Sequence, residues 1–295
     1  MWRRSLLALI ALAFMTGAAA LAARAITPAS VITLIWSMPL AKFGGWSGID
    51  VTPDGKDFVA VSDRGSIAFG SLHRVEGRLE GISSMPLRPI KGDKDLWSTT
   101  FARDAEGVSL EPSGALLISY EGFARVWRHR DPAHPERIHQ HPAFQRMPAN
   151  GSLEAVAAAP DGTIYTLPEV SREPDRYPVF AHDGTGWSQP FSLQRSESWR
   201  AVGADFGPDG LFYLLERQFL GIGFVSRIRR FDISAPGAQP LAGELLYQSP
   251  LWRHGNLEGI AIWRDEEGQI RAVLVSDNNF LPFLPTEIVE IVLPG

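Results

Sequence analysis

Short apolar runs recur along the chain and are separated by turns rich in Pro, Asp and Gly. One phrase occurs five times: an apolar run, a turn such as Pro53-Asp54-Gly55 or Pro208-Asp209-Gly210, and a second apolar run that ends near an acidic residue. Short runs rich in Val, Ile and aromatic residues and bounded by turn residues are typical of strands. The pattern therefore predicts five β-hairpins and very little helix.

The five phrases start at equivalent positions, spaced 48 to 59 residues apart. Their first residues are Ser47, Glu106, Glu154, Val202 and Glu258. One or two more strand-like runs follow each hairpin, as at residues 66–74 and 79–87 in the first unit. Four strands per unit are typical of a propeller blade. The sequence predicts an all-β propeller of five blades. A six-bladed ring would need a blade without the phrase, and a sandwich does not explain the fourfold grouping.

The fifth unit has only three strand-like runs, whereas one unmatched run, residues 31–38, precedes the first hairpin. This N-terminal run can complete the last blade and close the ring. The prediction is a single propeller domain over residues 26–295.

Residues 1–25 have the composition of a signal peptide. Arg3 and Arg4 precede an apolar run over residues 6–23, and Ala23-Arg24-Ala25 suits a signal peptidase. The alternative is an uncleaved anchor, because 18 apolar residues just reach bilayer thickness. No later stretch is apolar enough to span a membrane. We expect a periplasmic or secreted bacterial protein, released from the membrane once its leader is cleaved.

The chain has no Cys and a net charge of −5. Disulfides, thiolate metal sites and lipid attachment at a cysteine are therefore excluded. An acidic chain is a poor match for nucleic acid, so no such partner is expected. We expect a monomer.

Residues equidistant from a hairpin turn lie opposite each other, so the acids on both sides of each turn should share one end of their blade. If these hairpins are the inner strands, their ends converge on the mouth of the central channel. The expected carboxylates are Asp63, Glu106, Glu121, Glu154, Glu169, Glu216, Glu258 and Asp277. Two carboxylates about 5 Å apart repel by roughly 3 kcal/mol at an effective dielectric near 20. Such a cluster must bind protons, pair with Arg or hold a cation.

The first residues of the phrases supply oxygen ligands at equivalent positions around the axis. They predict a Ca²⁺ site formed by Ser47, Glu106, Glu154 and Glu258, because Ca²⁺ takes six to eight oxygen ligands. Zinc is not expected, since no His shares these positions. The alternative is that the acids are solvated or paired with the Arg residues that follow two of them, Arg64 and Arg217.

The remaining polar residues suggest an outer ring at the same mouth. The candidates for activating water are Asp63, Glu121, Glu169, Glu216 and Asp277, with no single base distinguished. The candidates for binding an anionic substrate are Arg64, Arg200, Arg217 and Asn278. Ion pairs between blades would use the same side chains. Val202 breaks the acidic pattern, so the fourth blade is expected to contribute a wall rather than a metal ligand.

An ordered set of phrases resembles a known family. These phrases are Gly44-Gly-Trp-Ser-Gly-Ile-Asp50, Val61-Ser-Asp-Arg-Gly65, Asp104-Ala-Glu-Gly-Val108, Asn150-Gly-Ser-Leu-Glu-Ala-Val156, Arg200-Ala-Val-Gly-Ala204, Asn256-Leu-Glu-Gly-Ile260 and Val275-Ser-Asp-Asn-Asn279. They are similar to the exported bacterial proteins called esterase-like activity of phytase, or phytase-like domain, proteins. The resemblance covers nearly all of the chain after residue 30. It implies a β-propeller and hydrolysis of phosphoesters or carboxyesters. The ring of Ser47, Glu106, Glu154 and Glu258 is also similar to the axial calcium site of five-bladed apyrases, a pattern that Val202 breaks.

Three functional hypotheses follow. The first is an exported, cation-dependent hydrolase that acts on a small anionic phosphoester or related ester. The second is a non-catalytic propeller that calcium stiffens and whose rim binds an envelope ligand or partner. The third is a lactonase of the gluconolactonase and paraoxonase type, which also uses a propeller-held calcium.

Overall fold

Five antiparallel β-sheets are arranged as the blades of a propeller, as the sequence predicts. The structure is a computed structural model that describes residues 30–38, 43–92, 99–196, 198–234, 237, 239–281 and 283–295. The predicted signal peptide, residues 1–25, lies outside the described residues. Helical structure in the described ranges consists of 3-10 turns at Phe101–Arg103 and Phe144–Arg146. None of the helices in these ranges is long and apolar enough to cross a membrane.

The first three blades each run from an inner strand to an outer strand in chain order. Blade 1 contains β2 (Trp46–Val51), β3 (Asp57–Ser62), β4 (Ser66–Val75) and β5 (Arg78–Ser84), with the short β6 (Arg88–Pro89) also paired with β4. Blade 2 contains β7 (Ala105–Leu110), β8 (Leu116–Tyr120), β9 (Arg125–His129) and β10 (Pro135–Arg137). Blade 3 contains β11 (Leu153–Ala158), β12 (Ile164–Pro168), β13 (Arg176–His182) and β14 (Trp187–Gln194).

Blades 4 and 5 complete the ring, and blade 5 combines both ends of the described chain. Blade 4 contains β15 (Arg200–Phe206), β16 (Phe212–Phe219), β17 (Phe224–Phe231) and β18 (Glu244–Gln248). Blade 5 contains β19 (Asn256–Arg264), β20 (Ile270–Asp277), β21 (Glu287–Val292) and, as its outer strand, β1 (Ser30–Ile35). Strand β1 pairs antiparallel with β21 from Ser30 opposite Val292 to Ile35 opposite Glu287. The predicted closure of the ring by the N-terminal strand is confirmed.

The inner strands form a closed ring around the channel, in which β2, β7, β11, β15 and β19 each contact the next and β19 contacts β2. Five apolar clusters fill the spaces between successive blades. Both faces of a blade are therefore covered, and this explains why strands such as Ile270–Asp277 are buried along their whole length. Apolar burial between blades is the main favourable term that holds the ring together.

Candidate functional site

Each inner strand carries a β-bulge at the first residue of the repeated phrase. The strand pairing skips one residue in every blade, and the extra residues are Ser47, Glu106, Glu154, Val202 and Glu258. A bulge bends its strand locally and redirects the side chain of the extra residue. The five positions that the repeat aligns are thus structurally equivalent. We call them the bulge ring.

Glycine after the bulge lets the inner strands approach each other closely. A Cβ atom on Gly48 would lie 2.8 Å from the backbone nitrogen of Val108, in the next blade. One on Gly259 would lie 2.6 Å from the backbone nitrogen of Ile49. Both distances are shorter than normal contacts, so a side chain here would force the strands apart. The channel is therefore narrow beside the bulge ring.

A second ring is formed by one residue at or near the end of the second strand of each hairpin. The backbone nitrogens of Asp63, Glu121 and Glu169 donate to the carbonyls of Gly45, Asp104 and Ser152. In the same register, Arg217 pairs with Arg200 and Asp277 pairs with Asn256. The second ring therefore consists of Asp63, Glu121, Glu169, Arg217 and Asp277. Four of its members are acids that the sequence places at the mouth.

The expected position of Glu216 is wrong by one residue. Glu216 pairs with Ala201, and its neighbour Arg217 occupies the equivalent of the other blades' acids. Because side chains alternate along a strand, a shift of one residue reverses the face. The Glu216 side chain is fully buried and accepts hydrogen bonds from Arg227 and Arg229, away from the acidic side chains of the mouth. The sequence prediction followed the residue type, whereas the spacing from Glu154 to Glu169 leads to Arg217 in blade 4.

Asp104 belongs to the mouth, although the sequence reasoning did not include it. Oxygen atoms of Asp104, Glu106 and Glu121 all lie within 4.8 Å of one another. Asp104 lies opposite Glu121, whose backbone nitrogen donates to its carbonyl, and residues equidistant from a hairpin turn lie opposite each other. That pairing is the signal that could have identified it.

A second group of three acids overlaps the first. Oxygen atoms of Glu121, Glu154 and Glu169 also lie within 4.8 Å of one another, and all three side chains are buried. Glu121 belongs to both groups. The acids of the channel are thus concentrated on the side of blades 2 and 3, and we call these five residues, Asp104, Glu106, Glu121, Glu154 and Glu169, the acidic cluster.

The three acids of the second group differ in their partners. Glu121 accepts hydrogen bonds from the backbone nitrogens of Gly151 and Ser152. Glu169 accepts from Arg200 at 2.8 Å and from Arg217 at 3.2 Å. Glu154 is 7% exposed, and no described residue donates a hydrogen bond to its carboxylate or forms a close ion pair with it, although the charge of Arg217 acts on it from farther away. A largely buried carboxylate without a hydrogen bond is costly to keep ionised, so this position favours a proton or a cation.

Burial and mutual repulsion make the acids of the channel hard to ionise. The pKa of Glu154 is raised well above its usual value by burial and by the charges of Glu169 and Glu106. The pKa of Glu106 is raised in the same way by burial and by Asp104, Glu258 and Glu121. Burial also raises the pKa values of Asp104, Glu121 and Asp277. It raises the pKa of Glu258 to about 8.

Two arginines of blade 4 neutralise acids of the neighbouring blades 3 and 5. Arg217 lies 3.1 Å from Glu258 and also bonds to Asn256 and Glu169, so it joins blades 3, 4 and 5. These acids raise its pKa despite burial. Arg200 bonds to Glu169 while its side chain stays 47% exposed. Arg217 is therefore an internal counter-ion, whereas Arg200 is accessible from the mouth.

The other expected site residues lie at the blade 5 and blade 1 side. Ser47 is buried and its hydroxyl is 3.4 Å from the Gly45 carbonyl. Asp63 has an Oδ1 atom that is buried without a hydrogen-bond donor, and burial together with Asp277 raises its pKa to about 7. Arg64 is largely exposed and lies over the ring of Phe280. Asn278 accepts from the backbone nitrogens of Gly45 and Phe280, so it orders the loops of the mouth.

Comparison with known proteins identifies one family. The phytase-like family, described as esterase-like activity of phytase, matches residues 41–280. No curated protein matches the chain.

Solved structures with a similar architecture are distant in sequence. A gluconolactonase from Xanthomonas campestris has a TM-score of 0.47 at 13% identity, covering 92% of this chain and 97% of its own. A PQQ-bound aldose sugar dehydrogenase from Streptomyces coelicolor also has a TM-score of 0.47, at 12% identity, covering 90% of this chain and 100% of its own. A streptogramin B lyase has a TM-score of 0.44 at 13% identity, covering 90% of this chain and 98% of its own.

Proposed function

The chain belongs to the phytase-like family, and on that premise we propose that it is a cation-dependent hydrolase of phosphoesters or related esters that acts at the channel mouth. Glu154 carries the proposal. Its carboxylate is buried, accepts no hydrogen bond from a described residue and lies next to Glu121 and Glu169. A cation at this position would satisfy a group that is otherwise costly to bury.

The donor set fits Ca²⁺. Glu121, Glu154 and Glu169 would hold the ion, with Glu106 and Asp104 adjacent through the shared Glu121. All five donors are carboxylates, which are hard oxygen ligands of the kind that Ca²⁺ prefers. This set retains Glu106 and Glu154 of the ring expected from the sequence. It leaves out Glu258, which belongs to neither close group of acids, and Ser47, whose hydroxyl donates to the Gly45 carbonyl. When bound, Ca²⁺ would supply Lewis-acid polarisation of an ester or phosphoryl oxygen.

The three arginines have different roles: Arg200 and Arg64 are accessible to an anionic group, whereas Arg217 is paired with buried acids. Arg200 is accessible from the mouth and already touches the edge of the acidic cluster through Glu169. Its planar guanidinium suits a phosphate or carboxylate oxygen. Arg217 is committed to Glu169 and Glu258, so its role is to hold these acids in place. Arg64 adds an exposed positive charge across the mouth.

Asp63 is the best-supported general base among the candidate acids. A general base works most efficiently when its pKa lies near the working pH, and burial with the charge of Asp277 raises the pKa of Asp63 to about 7. Its Oδ1 atom is buried without a hydrogen-bond donor, and the Arg64 guanidinium lies 3.6 Å from it. Glu216 is unsuitable, because both of its oxygens bond to arginines.

Hydrolysis assays with and without Ca²⁺ test this proposal. We expect wild-type protein to hydrolyse p-nitrophenyl phosphate or p-nitrophenyl acetate with Ca²⁺ and to lose activity in EDTA. Glu154→Gln should abolish both the activity and the rise in melting temperature that Ca²⁺ causes. At 100 times the dissociation constant this rise corresponds to about 2.7 kcal/mol.

Glu290→Gln is the matched control, since Glu290 is a buried glutamate paired with Arg74 and Arg271 outside the channel. It should lower the melting temperature but leave the Ca²⁺-induced rise intact. A melting temperature that is indifferent to Ca²⁺ in the wild type would exclude the cation site. Inactivity on both esters and on a lactone, with a normal Ca²⁺ response, would favour the non-catalytic propeller.

We also propose that the protein acts outside the cytoplasm after removal of residues 1–25, in the periplasm or the medium. The proposal rests on the basic start, apolar run and cleavage-like tripeptide of the leader. N-terminal sequencing of protein recovered from the periplasm tests it, and an intact Met1 in a membrane fraction would favour the anchor.

A further inference from the structure

An apolar cleft opens beside the acidic cluster and shares Glu121 with it. The cleft has a volume of about 490 Å³, and its apolar wall is formed chiefly by Phe101, Phe123, Phe144, Met147 and Pro148, with Gln140 and Gln145 adding amide groups. Glu121 is the one ionisable side chain among the lining residues. The same carboxylate belongs to both groups of three acids at the mouth. Glu121 therefore lies between the cleft and the acidic cluster, so the two sites are adjacent.

The two aromatic walls of the cleft are held in place by a buried arginine. Phe101 and Phe123 pack edge to face with their ring centroids 5.0 Å apart. Arg125 is 1% exposed and donates to the carbonyls of Gly122 and Ala102, which are the neighbours of these two phenylalanines. A Cβ atom on Gly122 would overlap the Phe101 carbonyl, so the two segments are in direct contact. The walls are thus preorganised, which lowers the entropy lost when a ligand binds.

Phe123 combines exposure with an unfavourable backbone. Its side chain is 53% exposed, and its φ of 58° lies in the left-handed region, where a bulky residue is rare. Strained residues of this kind concentrate at ligand sites, where the surrounding structure holds them in place. In the free protein about half of this ring is left in contact with water, so burial stabilises it only in part. It gains a contact when an apolar group enters the cleft.

The chemistry of the cleft selects one kind of occupant. No basic side chain lines it, and Glu121 with the acids behind it repels a polyanion. A cleft of this size and apolar lining accommodates an acyl or aryl group. We propose that the substrate is an ester whose acyl group binds in this cleft while its ester bond lies at the acidic cluster. The inference rests on the proposed function, and it disfavours a highly charged inositol polyphosphate.

The test compares p-nitrophenyl acetate with p-nitrophenyl octanoate in the presence of Ca²⁺. Phe123→Asn is the informative variant, because Asn tolerates positive φ and so keeps the turn. We expect its KM for octanoate to rise about tenfold, as the loss of roughly 60 Å² of apolar contact implies. Its KM for acetate should change less than twofold. Val75→Asn is the control, since Val75 is 55% exposed at the opposite end of blade 1.

Binding of p-nitrophenyl octyl ether, which cannot be hydrolysed, separates this inference from the proposed function. Tight binding to wild type and about tenfold weaker binding to Phe123→Asn would support the cleft even if no ester were hydrolysed. Hydrolysis of both esters with no effect of Phe123→Asn on either KM would overturn the inference and leave the function intact. A lower melting temperature with unchanged KM values and unchanged ether binding would show a structural role only, and would also overturn it.

Discussion

The guanidinium of Arg217 in blade 4 lies 3.1 Å from the carboxylate of Glu258 in blade 5. In the other four blades the position of Arg217 is occupied by an acid, and the bulge position of blade 4 is Val202. One blade thus contributes a positive charge and an apolar side chain where the others contribute negative charge or, at Ser47, a hydroxyl. As a result both close groups of three acids lie on the side of blades 2 and 3.

Replacing Arg217 should destabilise the fold, because the buried carboxylates that it neutralises would then repel each other. Arg217→Met is expected to lower the free energy of unfolding without metal by roughly 3 kcal/mol, because it leaves buried carboxylates without their cation. The rise in melting temperature on adding Ca²⁺ should become larger, since the ion would then compensate more charge. Chemical denaturation and thermal scans measure both effects. Arg176→Met is the control, because Arg176 forms pairs with exposed acids, which contribute about 0–1 kcal/mol. Equal effects of the two substitutions would contradict the role of Arg217.

The stability of the metal-free protein should fall as the pH rises. Burial raises the pKa of Asp63 to about 7 and that of Glu258 to about 8. The folded state therefore binds these protons more tightly than the unfolded chain, whose carboxyl groups titrate near pH 4. Their favourable contribution is complete below about pH 4 and is lost as the pH rises towards 7 and 8.

We expect the melting temperature in EDTA to decrease by several degrees between pH 5 and pH 8.5. Ca²⁺ should reduce this decrease, because the ion would compensate the charges of Glu121 and Glu154, whose pKa values burial also raises. Glu258→Gln should flatten the profile in EDTA. A melting temperature that stays level or increases over this range would show that the buried acids are not protonated.

The junction between the closing strand and blade 1 should be critical for stability. Trp36 follows β1, is 3% exposed and packs on Trp46 and Phe58, with ring centroids 4.5 Å and 5.3 Å away. Trp36→Ala should cost about 3–5 kcal/mol, the usual range for a buried large aromatic residue. Ile35→Ala, at a neighbouring position that is 59% exposed, should change stability by less than about 0.5 kcal/mol. Urea denaturation curves of the two variants test the contrast, which similar midpoints would refute.

Gly45 should be required for the position of Asp63. Gly45 has a φ of 66°, and a Cβ atom there would overlap Oδ1 of Asp63. Gly45→Ala should displace this carboxylate and reduce activity by at least about tenfold, in keeping with the contribution of a positioned base. Gly114→Ala is the matched control, because Gly114 has a φ of 83° and open space around its Cβ position. Both variants carry the backbone cost of about 1–2 kcal/mol. Activity lost equally in both would mean that the contact with Asp63 is unimportant.

The errors in the sequence prediction have a common physical origin. The phrase predicts hairpins, blades and the equivalence of Glu106, Glu154 and Glu258, because these features depend on local strand and turn chemistry repeated five times. It does not reveal the bulge at each of these positions. A bulge shifts the register by one residue, and one residue decides which face a side chain occupies. The residue type predicts Glu216 at the mouth, whereas the register that the other blades share places Arg217 at the equivalent of Glu121 and Glu169.

The amino-acid sequence by itself determined the five-bladed propeller, the N-terminal strand that closes it and the convergence of acids on one mouth. These follow from apolar periodicity and turn residues, which act over short distances along the chain. Only the tertiary structure decided which acids lie together, that no described residue donates a hydrogen bond to the Glu154 carboxylate and that a cleft beside Glu121 is walled by Phe101 and Phe123. These depend on side chains from different blades and on the conformation of loops, where separations of a few ångströms set both the electrostatic repulsion and the space left for a ligand.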